Sequence, residues 1–366
     1  MSMTQRLDKM GRFETGLNVY PVLLAGGIGS RMWPVSRELS PKQLIKFTGE
    51  DSFLQSAIKR LAPALDTEKV RIVCGDKHFD ETVRQIEEIG VRPAGKIITE
   101  PCGRNTAPAI LLAVLNIIKD EKDAILSIFP ADHIIRDIDI FHRKLKSAIL
   151  LADKGYIVTF GIMPNYPETG YGYIEGGKNI SDGALTIKRF VEKPDIKTAK
   201  EYIKAGNFFW NSGMFTFRAS VILDEFKVFA PELVKRMNHL VLSQEKVAKN
   251  DYEKLTSISI DYAVMEKTDK GAVLPSDFGW SDIGSWKALY DFLEKDADNN
   301  VIKGDVIAKK TRNCLIIGKE RLVTANCLEN MVVVETSDSI LISNMNNTQD
   351  IKTIVTELKE KKRKEY

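Results

Sequence analysis

Short apolar runs alternate with amphipathic stretches through the first half of the chain. The runs predict buried strands, and stretches with apolar positions three or four residues apart predict helices. Such alternation predicts βαβ units and therefore an α/β fold, with a mainly parallel sheet covered by helices on both faces. The predicted strands are 19–24, 70–73, 97–98, 124–129 and 157–160, and the predicted helices are 52–61, 81–89, 107–118 and 141–151.

The pattern changes twice further along the chain. Glycines and aromatic residues interleave from position 166, before another strand at 184–191, which predicts an antiparallel insert over the sheet. Helical patterns return between 219 and 266. Beyond 299 only short β-rich runs recur, at 304–308, 313–317, 322–325, 331–335 and 340–343, before a charged helix at 350–362. These runs predict a small all-β module, either a short β-helix or a sandwich.

A polar, turn-prone stretch at 295–300 separates the two patterns. We therefore predict a large domain over 1–298 and a β-rich C-terminal domain with a terminal helix over 299–366.

Charge and composition exclude several classes of function. The 366 residues carry 53 Lys and Arg against 50 Asp and Glu, so the net charge of +3 provides no field for binding nucleic acid. No apolar stretch approaches the length of a membrane span, and the N-terminal residues show no signal-peptide pattern. The four cysteines lack the spacing of a zinc site or a disulfide framework. We therefore expect a soluble cytoplasmic protein without nucleic-acid or membrane partners.

The most informative segment directly follows the first predicted strand. Gly26, Gly27 and Gly29 stand within four positions, so the backbone there can approach a ligand closely. Successive free N–H groups in such a turn form an anion-binding nest, and Arg31 and Lys42 add cationic donors suited to phosphate. The spacing differs from the Rossmann dinucleotide fingerprint, and the chain has no P-loop motif. The segment predicts a polyphosphate site.

The longer string LAGGIGSRMWPVSRELSPKQ, which begins at Leu24, resembles the signature of the sugar-1-phosphate nucleotidylyltransferases. Its Trp-Pro-x-Ser-Arg and Pro-Lys-Gln pieces are similar to the branch of the mannose-1-phosphate guanylyltransferases, also called GDP-mannose pyrophosphorylases. The resemblance implies a nucleotidyltransferase fold with a Rossmann-like, mixed but mainly parallel sheet. It also implies Mg²⁺-dependent transfer of GMP from GTP to mannose 1-phosphate, giving GDP-mannose and pyrophosphate. Ser30 and Met32 stand where relatives commonly carry threonine and leucine, and both changes are conservative.

Two acids follow predicted strands in the motifs FPADH and FGWSDIGSW. A carboxylate beside a polyphosphate requires a cation between them, and Mg²⁺ is held by one or two carboxylates plus phosphate oxygens. Simpler interpretations make Asp132 a cap of the next helix and Asp282 a first-turn acid of the helix beginning near Ser285. The resemblance implies that Asp132 and Asp282 both bind the metal. His133 has no second histidine or cysteine at ligand spacing, so we interpret it as structural.

The motif GRNTAP ends at a buried helix and is similar to the nucleotide-contact segment of the family. Asn105 or Thr106 is also a good N-cap, and Pro108 suits the first turn of a helix. The resemblance implies that the nucleotide is bound by Ala25, Gly26, Gly27, Gly29, Ser30, Arg104, Asn105 and Thr106.

Three further motifs, ETGYG, FVEKP and WNSGMF, face a sugar phosphate in the family. They provide acids for sugar hydroxyls, a lysine for phosphate, and the amide of Asn211, whose donor and acceptor can both be used. The implied sugar-binding residues are Glu168, Gly172, Glu192, Lys193, Asn211 and Ser212.

These residues imply an in-line nucleotidyl transfer. The phosphate of mannose 1-phosphate is already an anion at neutral pH, so the reaction requires positioning and charge neutralisation rather than a general base. Arg31 is expected to stabilise the departing pyrophosphate and Lys193 to hold the attacking phosphate. The implied catalytic set is Arg31, Lys42, Asp132, Lys193 and Asp282.

Two alternatives stay open at this stage. A different sugar 1-phosphate, for example that of a heptose, or a different nucleotide would need only a change in pocket geometry. A catalytically silent relative that binds a nucleotide sugar and regulates a partner need not keep the charged set. Only four histidines occur, so we expect no additional phosphomannose isomerase activity. We expect the β-rich tail to support a homodimer.

Overall fold

The computed structural model describes residues 16–47, 49–243 and 248–366. The chain divides into two compact units. The first comprises Leu54–Ala131, Ile135–Trp280 and the described residues up to Gly26. The second comprises Gly27–Phe53, Asp132–Ile134 and Ser281–Tyr366, so it is assembled from three separate segments of the chain.

A nine-stranded mixed sheet forms the centre of the first unit. The first eleven strands are β1 (Val19–Ala25), β2 (Arg71–Gly75), β3 (Ile97–Glu100), β4 (Ile125–Pro130), β5 (Ile134–Ile135), β6 (Ile157–Ile162), β7 (Tyr173–Asn179), β8 (Leu185–Val191), β9 (Phe208–Arg218), β10 (Gly271–Ser276) and β11 (Trp280–Ser281). The order in the large sheet is β3-β2-β1-β4-β9-β6-β10-β8-β7. Strands β1, β2, β3 and β4 pair in parallel, as do β6 and β10. The predicted mainly parallel α/β sheet is therefore confirmed.

The glycine-rich and aromatic stretch forms the antiparallel pair β7 and β8. Strand β8 also pairs with β10, and β7 also pairs with β9, so the pair continues the large sheet. The prediction of an insert lying over the sheet was wrong. Backbone N–H and C=O groups of β10 form hydrogen bonds with β8, so the two added strands lie in the large sheet rather than over its face.

Helices cover both faces of the large sheet, as the sequence predicts. Because successive strand residues point to opposite faces, Ile128 packs with the helix Thr106–Ile117, whereas Phe129 contacts Phe141 of the helix Ile138–Asp153 with ring centroids 6.0 Å apart. None of the described helices has the length and apolar composition needed to cross a bilayer. The helices are α1 (Phe53–Leu61), α2 (Phe79–Glu88), α3 (Thr106–Ile117), α4 (Ile138–Asp153), α5 (Ile196–Ala205), α6 (Ala219–Phe229), α7 (Pro231–Ser243), α8 (Lys249–Tyr252), α9 (Trp286–Phe292) and α10 (Ile351–Glu360).

The second unit contains a four-stranded sheet of β12 (Val301–Lys309), β13 (Leu315–Asn326), β14 (Met331–Glu335) and β15 (Ile340–Asn344). Strands β12, β13 and β14 pair in parallel in chain order, and β15 is antiparallel to β14. Successive parallel strands joined by short turns are the arrangement of a β-helix, which confirms this prediction. The predicted runs 313–317 and 322–325 belong to one long strand, β13.

The core of the second unit joins distant parts of the chain. Trp33 near the glycine-rich turn, Trp286 of α9, Leu315 of β13 and Ile351 of α10 belong to one buried cluster. The indole N–H of Trp286 donates to the carbonyl of Trp33 at 2.9 Å, and that of Trp33 donates to the carbonyl of Glu365 at 2.8 Å. The glycine-rich segment and the β-helix module therefore share one hydrophobic core.

Candidate active site

The glycine-rich turn begins where β1 ends at Ala25. Gly29 adopts a left-handed φ of 71°, and a Cβ built on it would lie 2.5 Å from the Cβ of Lys42. The backbone N–H of Lys42 donates to the carbonyl of Ile28 at 3.2 Å. Glycine at position 29 thus permits the turn itself and the close passage of Lys42 beside it.

A cleft of about 330 Å³ lies beside this turn, and all of its lining residues belong to the second unit. The structure brings together here the glycine-rich turn, both predicted metal ligands and two of the predicted cations. It also adds a lysine from α10 that the sequence analysis missed. The cleft is lined by Gly29, Ser30, Arg31, Met32, Lys42, Asp132, His133, Asp282, Gly284 and Lys352.

Lys42 connects the two acid-bearing segments of the cleft. Its side chain is only 4% exposed, and its ammonium donates to Asp132 Oδ2 at 2.8 Å and to the carbonyl of Asp282. An ammonium has three N–H groups, so at most one remains for a ligand. Burial opposes ionisation of Asp132, but the charges of Lys42 and His133 and the hydrogen bonds to the carboxylate together outweigh that effect and hold the pKa of Asp132 below its ordinary value. Lys42 therefore helps to keep Asp132 ionised in the cleft.

Neither predicted metal ligand caps a helix. The cap of α4 is Asp137, and the cap of α9 is Ser285, whose side chain accepts from a backbone N–H in the first turn. The simpler interpretations, with Asp132 as a cap of α4 and Asp282 as an acid in the first turn of α9, are therefore excluded.

A strained turn carries Asp282. The carboxylate accepts a hydrogen bond from the N–H of Gly284 at 3.0 Å, and the intervening Ile283 has a φ of 44°. This left-handed conformation is costly for a β-branched residue. Full burial of the Ile283 side chain holds it in place. Strain of this kind occurs where a side chain must be presented in one orientation, which agrees with a binding role for Asp282.

The donor set of the cleft suits a divalent cation that arrives with phosphate. Within the described ranges no group of three or more His, Cys, Asp or Glu side chains could hold a metal ion alone. Asp132 and Asp282 offer carboxylates to one cleft. Mg²⁺ is commonly held by one or two carboxylates, with substrate phosphates and water completing its shell. The residues present therefore fit Mg²⁺ bound together with a polyphosphate.

The predicted nucleotide contacts of the first unit cluster at the start of α3. Asn105 is the cap of this helix, with a φ of 69°, and its side chain accepts from the N–H of Thr106 at 2.9 Å. The hydroxyl of Thr106 accepts from the N–H of Ile260 at 2.9 Å. The Nε of Arg104 is buried without a hydrogen-bond partner in the described part of the chain. The start of α3, which carries the Asn105 amide, is thus tied to a second segment of the chain.

Glu100 is a buried acid that the sequence analysis did not assign to the site. Its Oε1 accepts from the hydroxyl of Tyr252 at 2.7 Å, and its Oε2 lies 3.6 Å from the position of a Cβ on Gly26. Burial raises the pKa of Glu100 to about 7, although the hydrogen bond from Tyr252 lowers it. The available signal was an acid directly after a predicted strand, at the edge of the sheet where the glycine-rich turn begins.

Four of the predicted sugar-binding residues lie together in the first unit. A Cβ built on Gly172 would lie 2.6 Å from Glu192 Oε2 and 3.4 Å from the Cβ of Asn211. The ammonium of Lys193 lies 2.5 Å from Glu192 Oε1, and 59% of the Lys193 side chain is exposed. The group combines a buried carboxylate, an exposed cation and bare backbone.

Glu168 and Ser212 interact with nearby backbone instead. The Oε1 of Glu168 accepts from the N–H of Gly170 at 2.7 Å, and the hydroxyl of Ser212 accepts from the N–H of Met214 at 3.3 Å. Each side chain thus accepts from the backbone two residues further along the chain.

The amide of Asn211 is largely used within the protein. Its oxygen accepts from the hydroxyl of Thr159 at 2.9 Å and from the N–H of Gly213 at 3.2 Å, and its nitrogen donates to Asp261 Oδ1 at 3.0 Å. The single hydrogen of the Thr159 hydroxyl is shared with the carbonyl of Met214, also at 2.9 Å, so the Asn211 oxygen is only partly engaged, and one N–H of the amide remains for a ligand. That both donor and acceptor are usable stays a prediction.

Asp261 is a second buried acid that the sequence analysis missed. It begins a π-helical turn, Asp261–Met265, of a kind that often occurs at functional sites. Burial, and then the negative charge of Glu192, raise the pKa of Asp261 to about 6. In the sequence, Asp261 could have been recognised as an acid inside an otherwise apolar stretch.

Comparison with known proteins agrees with both parts of the chain. A family model described as nucleotidyl transferase matches residues 20–299, and one described as MannoseP isomerase/GMP-like beta-helix domain matches residues 296–358. The mannose-1-phosphate guanylyltransferase RfbM of Salmonella typhimurium is 44% identical over 358 residues, which cover 96% of this chain and 74% of that protein.

Two further similarities extend over most of the chain. A mannose-1-phosphate guanylyltransferase of Klebsiella pneumoniae is 41% identical over 94% of this chain and 75% of its own length. A crystal structure described as mannose-1-phosphate geranyltransferase from Thermus thermophilus has a TM-score of 0.85 and 31% identity, and the match covers 94% of this chain and all of that one.

Proposed function

Because the chain belongs to the nucleotidyl transferase family, among the mannose-1-phosphate guanylyltransferases, we propose that it transfers GMP from GTP to mannose 1-phosphate. The products are GDP-mannose and pyrophosphate. The observation that carries this proposal is the cleft in which the glycine-rich turn meets Arg31, Lys42, Asp132 and Asp282. That set of groups suits a metal-bound polyphosphate, and relatives that match at least 94% of this chain are named for this activity.

The reaction depends on positioning and on neutralisation of charge. An oxygen of the mannose 1-phosphate anion attacks the α-phosphorus of GTP, and the bond from that phosphorus to the bridging oxygen of the β-phosphate breaks. No proton has to be removed from the nucleophile, so the site needs no general base. Arg31 is exposed at the cleft and is the proposed donor to the departing pyrophosphate. Lys193 is the proposed donor to the attacking phosphate.

We propose Mg²⁺ as the divalent cation, with Asp132 and Asp282 as its protein ligands. When bound, the cation neutralises phosphate charge and orients the phosphate oxygens. The ammonium of Lys42 favours the ionised form of Asp132. It also donates to the backbone carbonyl of Asp282, so the two proposed ligands are held by one side chain.

A carboxylate at Glu100 supports a guanine nucleotide. Guanine has N1–H and N2–H₂ donors on one edge, whereas adenine has neither of them, since its N1 is an acceptor and its C2 carries no amino group. Glu100 Oε2 lies next to Gly26 of the phosphate-binding turn, and Tyr252 occupies only the other oxygen. Together with Ala25, Gly27, Arg104, Asn105 and Thr106, Glu100 forms the proposed nucleotide end of the site.

The sugar end combines acceptors and a single donor. We propose that Glu192 and Asp261 accept hydrogen bonds from mannose hydroxyls and that the remaining N–H of Asn211 donates to one. Glu168 and Ser212 hold nearby backbone by accepting from it, and the bare backbone of Gly172 lies beside Glu192. A pocket built from such polar groups rejects sugars that leave one of them unpaired.

Product analysis by mass spectrometry tests the proposal. The purified chain is incubated with MgCl₂, pyrophosphatase, mannose 1-phosphate and each of the four ribonucleoside triphosphates in turn, with glucose 1-phosphate as the matched sugar control. We expect GDP-mannose from GTP and mannose 1-phosphate alone. Product from glucose 1-phosphate or from ATP would contradict the proposed substrates. No product with any pair would support a silent nucleotide-sugar-binding subunit.

We propose a homodimer that forms through the β-helix module, in the cytoplasm. The edge strand β15 exposes Ile340 by 54% and Ile342 by 66%, and exposed apolar edge strands tend to pair with another chain. Four free cysteines agree with a reducing compartment. Light scattering at micromolar concentration tests the assembly, and Ile342→Lys should weaken it without abolishing GDP-mannose formation. A monomeric wild-type protein would contradict the dimer.

A further inference from the structure

We propose that Lys352 of α10 binds the β- and γ-phosphates of the nucleotide and stabilises the pyrophosphate as it departs. The inference rests on the proposed function and deepens it, because it assigns part of the phosphate site to the C-terminal module. Lys352 lines the same cleft as Gly29, Arg31, Asp132 and Asp282. No sequence motif marks this residue.

The charges that line the cleft indicate why a triphosphate would need Lys352. Asp132 and Asp282 bring two carboxylates to the lining, and Lys42 is buried in contact with one of them. The positive charge of Lys42 is therefore already matched by the protein. Arg31 and Lys352 are the exposed cations of the lining. A triphosphate that enters the cleft needs cationic donors beyond a bound metal, and these two side chains supply them.

The backbone that carries Lys352 is anchored to the phosphate-binding segment. The preceding residue, Ile351, is 2% exposed and belongs to the same buried cluster as Met32 and Trp33. Beyond the helix, the carbonyl of Glu365 accepts from the indole N–H of Trp33 at 2.8 Å. Two separate contacts therefore tie the helix region to the segment that forms the turn. The side chain of Lys352 remains exposed and is held beside the turn by its backbone.

The proposed ligand is the pyrophosphate part of the nucleotide rather than the sugar phosphate. Lys352 lines a cleft with the glycine-rich turn, whereas Lys193, Glu192 and Asn211 belong to the first unit. Loss of the Lys352 charge should therefore weaken the binding of GTP more than that of mannose 1-phosphate. A purely structural role would weaken the binding of both substrates.

Three variants test the proposal. Lys352→Met removes the charge and keeps the length of the side chain, Lys352→Arg keeps the charge, and Lys361→Met is the matched control because Lys361 pairs with Glu357 on the same helix. The binding of pyrophosphate and of GTP is measured by calorimetry, with MgCl₂ and with EDTA. Initial rates then give KM separately for GTP and for mannose 1-phosphate, and the melting temperature reports on folding.

We expect Lys352→Met to weaken the binding of pyrophosphate and to raise the KM for GTP by about tenfold or more, as the loss of one charge-assisted contact implies. The KM for mannose 1-phosphate and the melting temperature should stay near those of the wild type. Lys352→Arg should restore most of the affinity, and Lys361→Met should match the wild type.

Two results would overturn the inference. One is binding of pyrophosphate by Lys352→Met that equals that of Lys361→Met. The other is a parallel rise in both KM values together with a lower melting temperature, which indicates a structural role. Failure of the proposed function is recognised separately, because the wild type would then form no GDP-mannose while the calorimetry would still report on Lys352.

Discussion

Asp132 faces the cleft as a carboxylate because Lys42 compensates its charge. Changing Asp132 or Asp282 to Asn removes one negative charge from the proposed Mg²⁺ site while keeping the side-chain volume. We expect each variant to lose several kcal/mol of transition-state stabilisation, measured as kcat/KM over a series of MgCl₂ concentrations. Asp291→Asn, at an exposed ion pair with Lys287, is the matched control. Near-normal turnover of either variant at saturating MgCl₂ would contradict the metal assignment.

Asp261 makes the stability of the protein depend on pH. Its pKa is about 6 in the folded chain against an ordinary value of 3.8, so the folded state holds the proton more tightly than the unfolded state. The ionised carboxylate therefore destabilises the fold above about pH 6, and the penalty is relieved as the pH falls from 6 towards 4. The difference between the two pKa values corresponds to roughly 3 kcal/mol.

The variant Asp261→Asn cannot ionise and should lack this penalty. We expect its free energy of unfolding to exceed that of the wild type at pH 8 and the excess to shrink by pH 5, because the wild type is protonated there. Denaturant unfolding at both values measures the difference. The same variant should raise the KM for mannose 1-phosphate, since Asp261 holds the amide of Asn211. An equal difference in stability at the two pH values would show that Asp261 titrates normally.

At the scale of elements, the glycine-rich turn couples backbone conformation to the position of a charged side chain. Gly29→Ala would place a Cβ in a left-handed conformation and 2.5 Å from the Cβ of Lys42. We expect about 1 kcal/mol or more of lost stability from the backbone and a loss of GDP-mannose formation of at least about tenfold, because Lys42 must move away from Asp132.

Gly90→Ala is the matched control for this turn. Gly90 has a φ of 78° but no atom within 4 Å of the added Cβ, so the backbone cost is similar and Lys42 is not displaced. Melting temperature and initial rate are measured for both variants. Equal activity of the two would show that the contact between Gly29 and Lys42 has no part in the reaction.

At the scale of the whole molecule, the second unit joins segments that are far apart in the chain. Residues Gly27–Phe53 and Ser281–Tyr366 belong to one compact unit with one core. The domain boundary near residue 298 stays a prediction. In the folded chain, the glycine-rich turn from Gly27 onwards belongs to the same compact unit as the β-helix module. Destabilising the β-helix module should therefore also loosen the glycine-rich turn.

Leu315→Ala tests this coupling from within the β-helix module. Leu315 is fully buried, so we expect a loss of about 2–5 kcal/mol in the free energy of unfolding. Hydrogen exchange of residues 27–47 should accelerate in this variant, because the cavity lies in the core that supports them. Leu126→Ala, equally buried but in the core of the first unit, is the control and should leave that exchange less changed. Equal rates of hydrogen exchange at residues 27–47 in the two variants would contradict a core shared by the glycine-rich segment and the β-helix module.

The sequence by itself determined the order of strands and helices and most of the chemistry of the site. Continuous apolar runs reflect local burial, so they predicted the buried elements α3 and β4, and regularly spaced short β-rich runs predicted the strands of the C-terminal module. Motif residues such as Asp132 and Asp282 were predicted for the same reason, since each stands next to a strand whose end is readable in the sequence.

Only the tertiary structure decided which groups are available to a ligand. Lys42 donates to Asp132, and the amide of Asn211 is engaged by Gly213 and Asp261. Glu100, Asp261 and Lys352 enter the site without a motif, because their environments are built by residues distant in the chain. Burial, hydrogen-bond partners and local charge arise from contacts that form on folding, and no local pattern of residues encodes them.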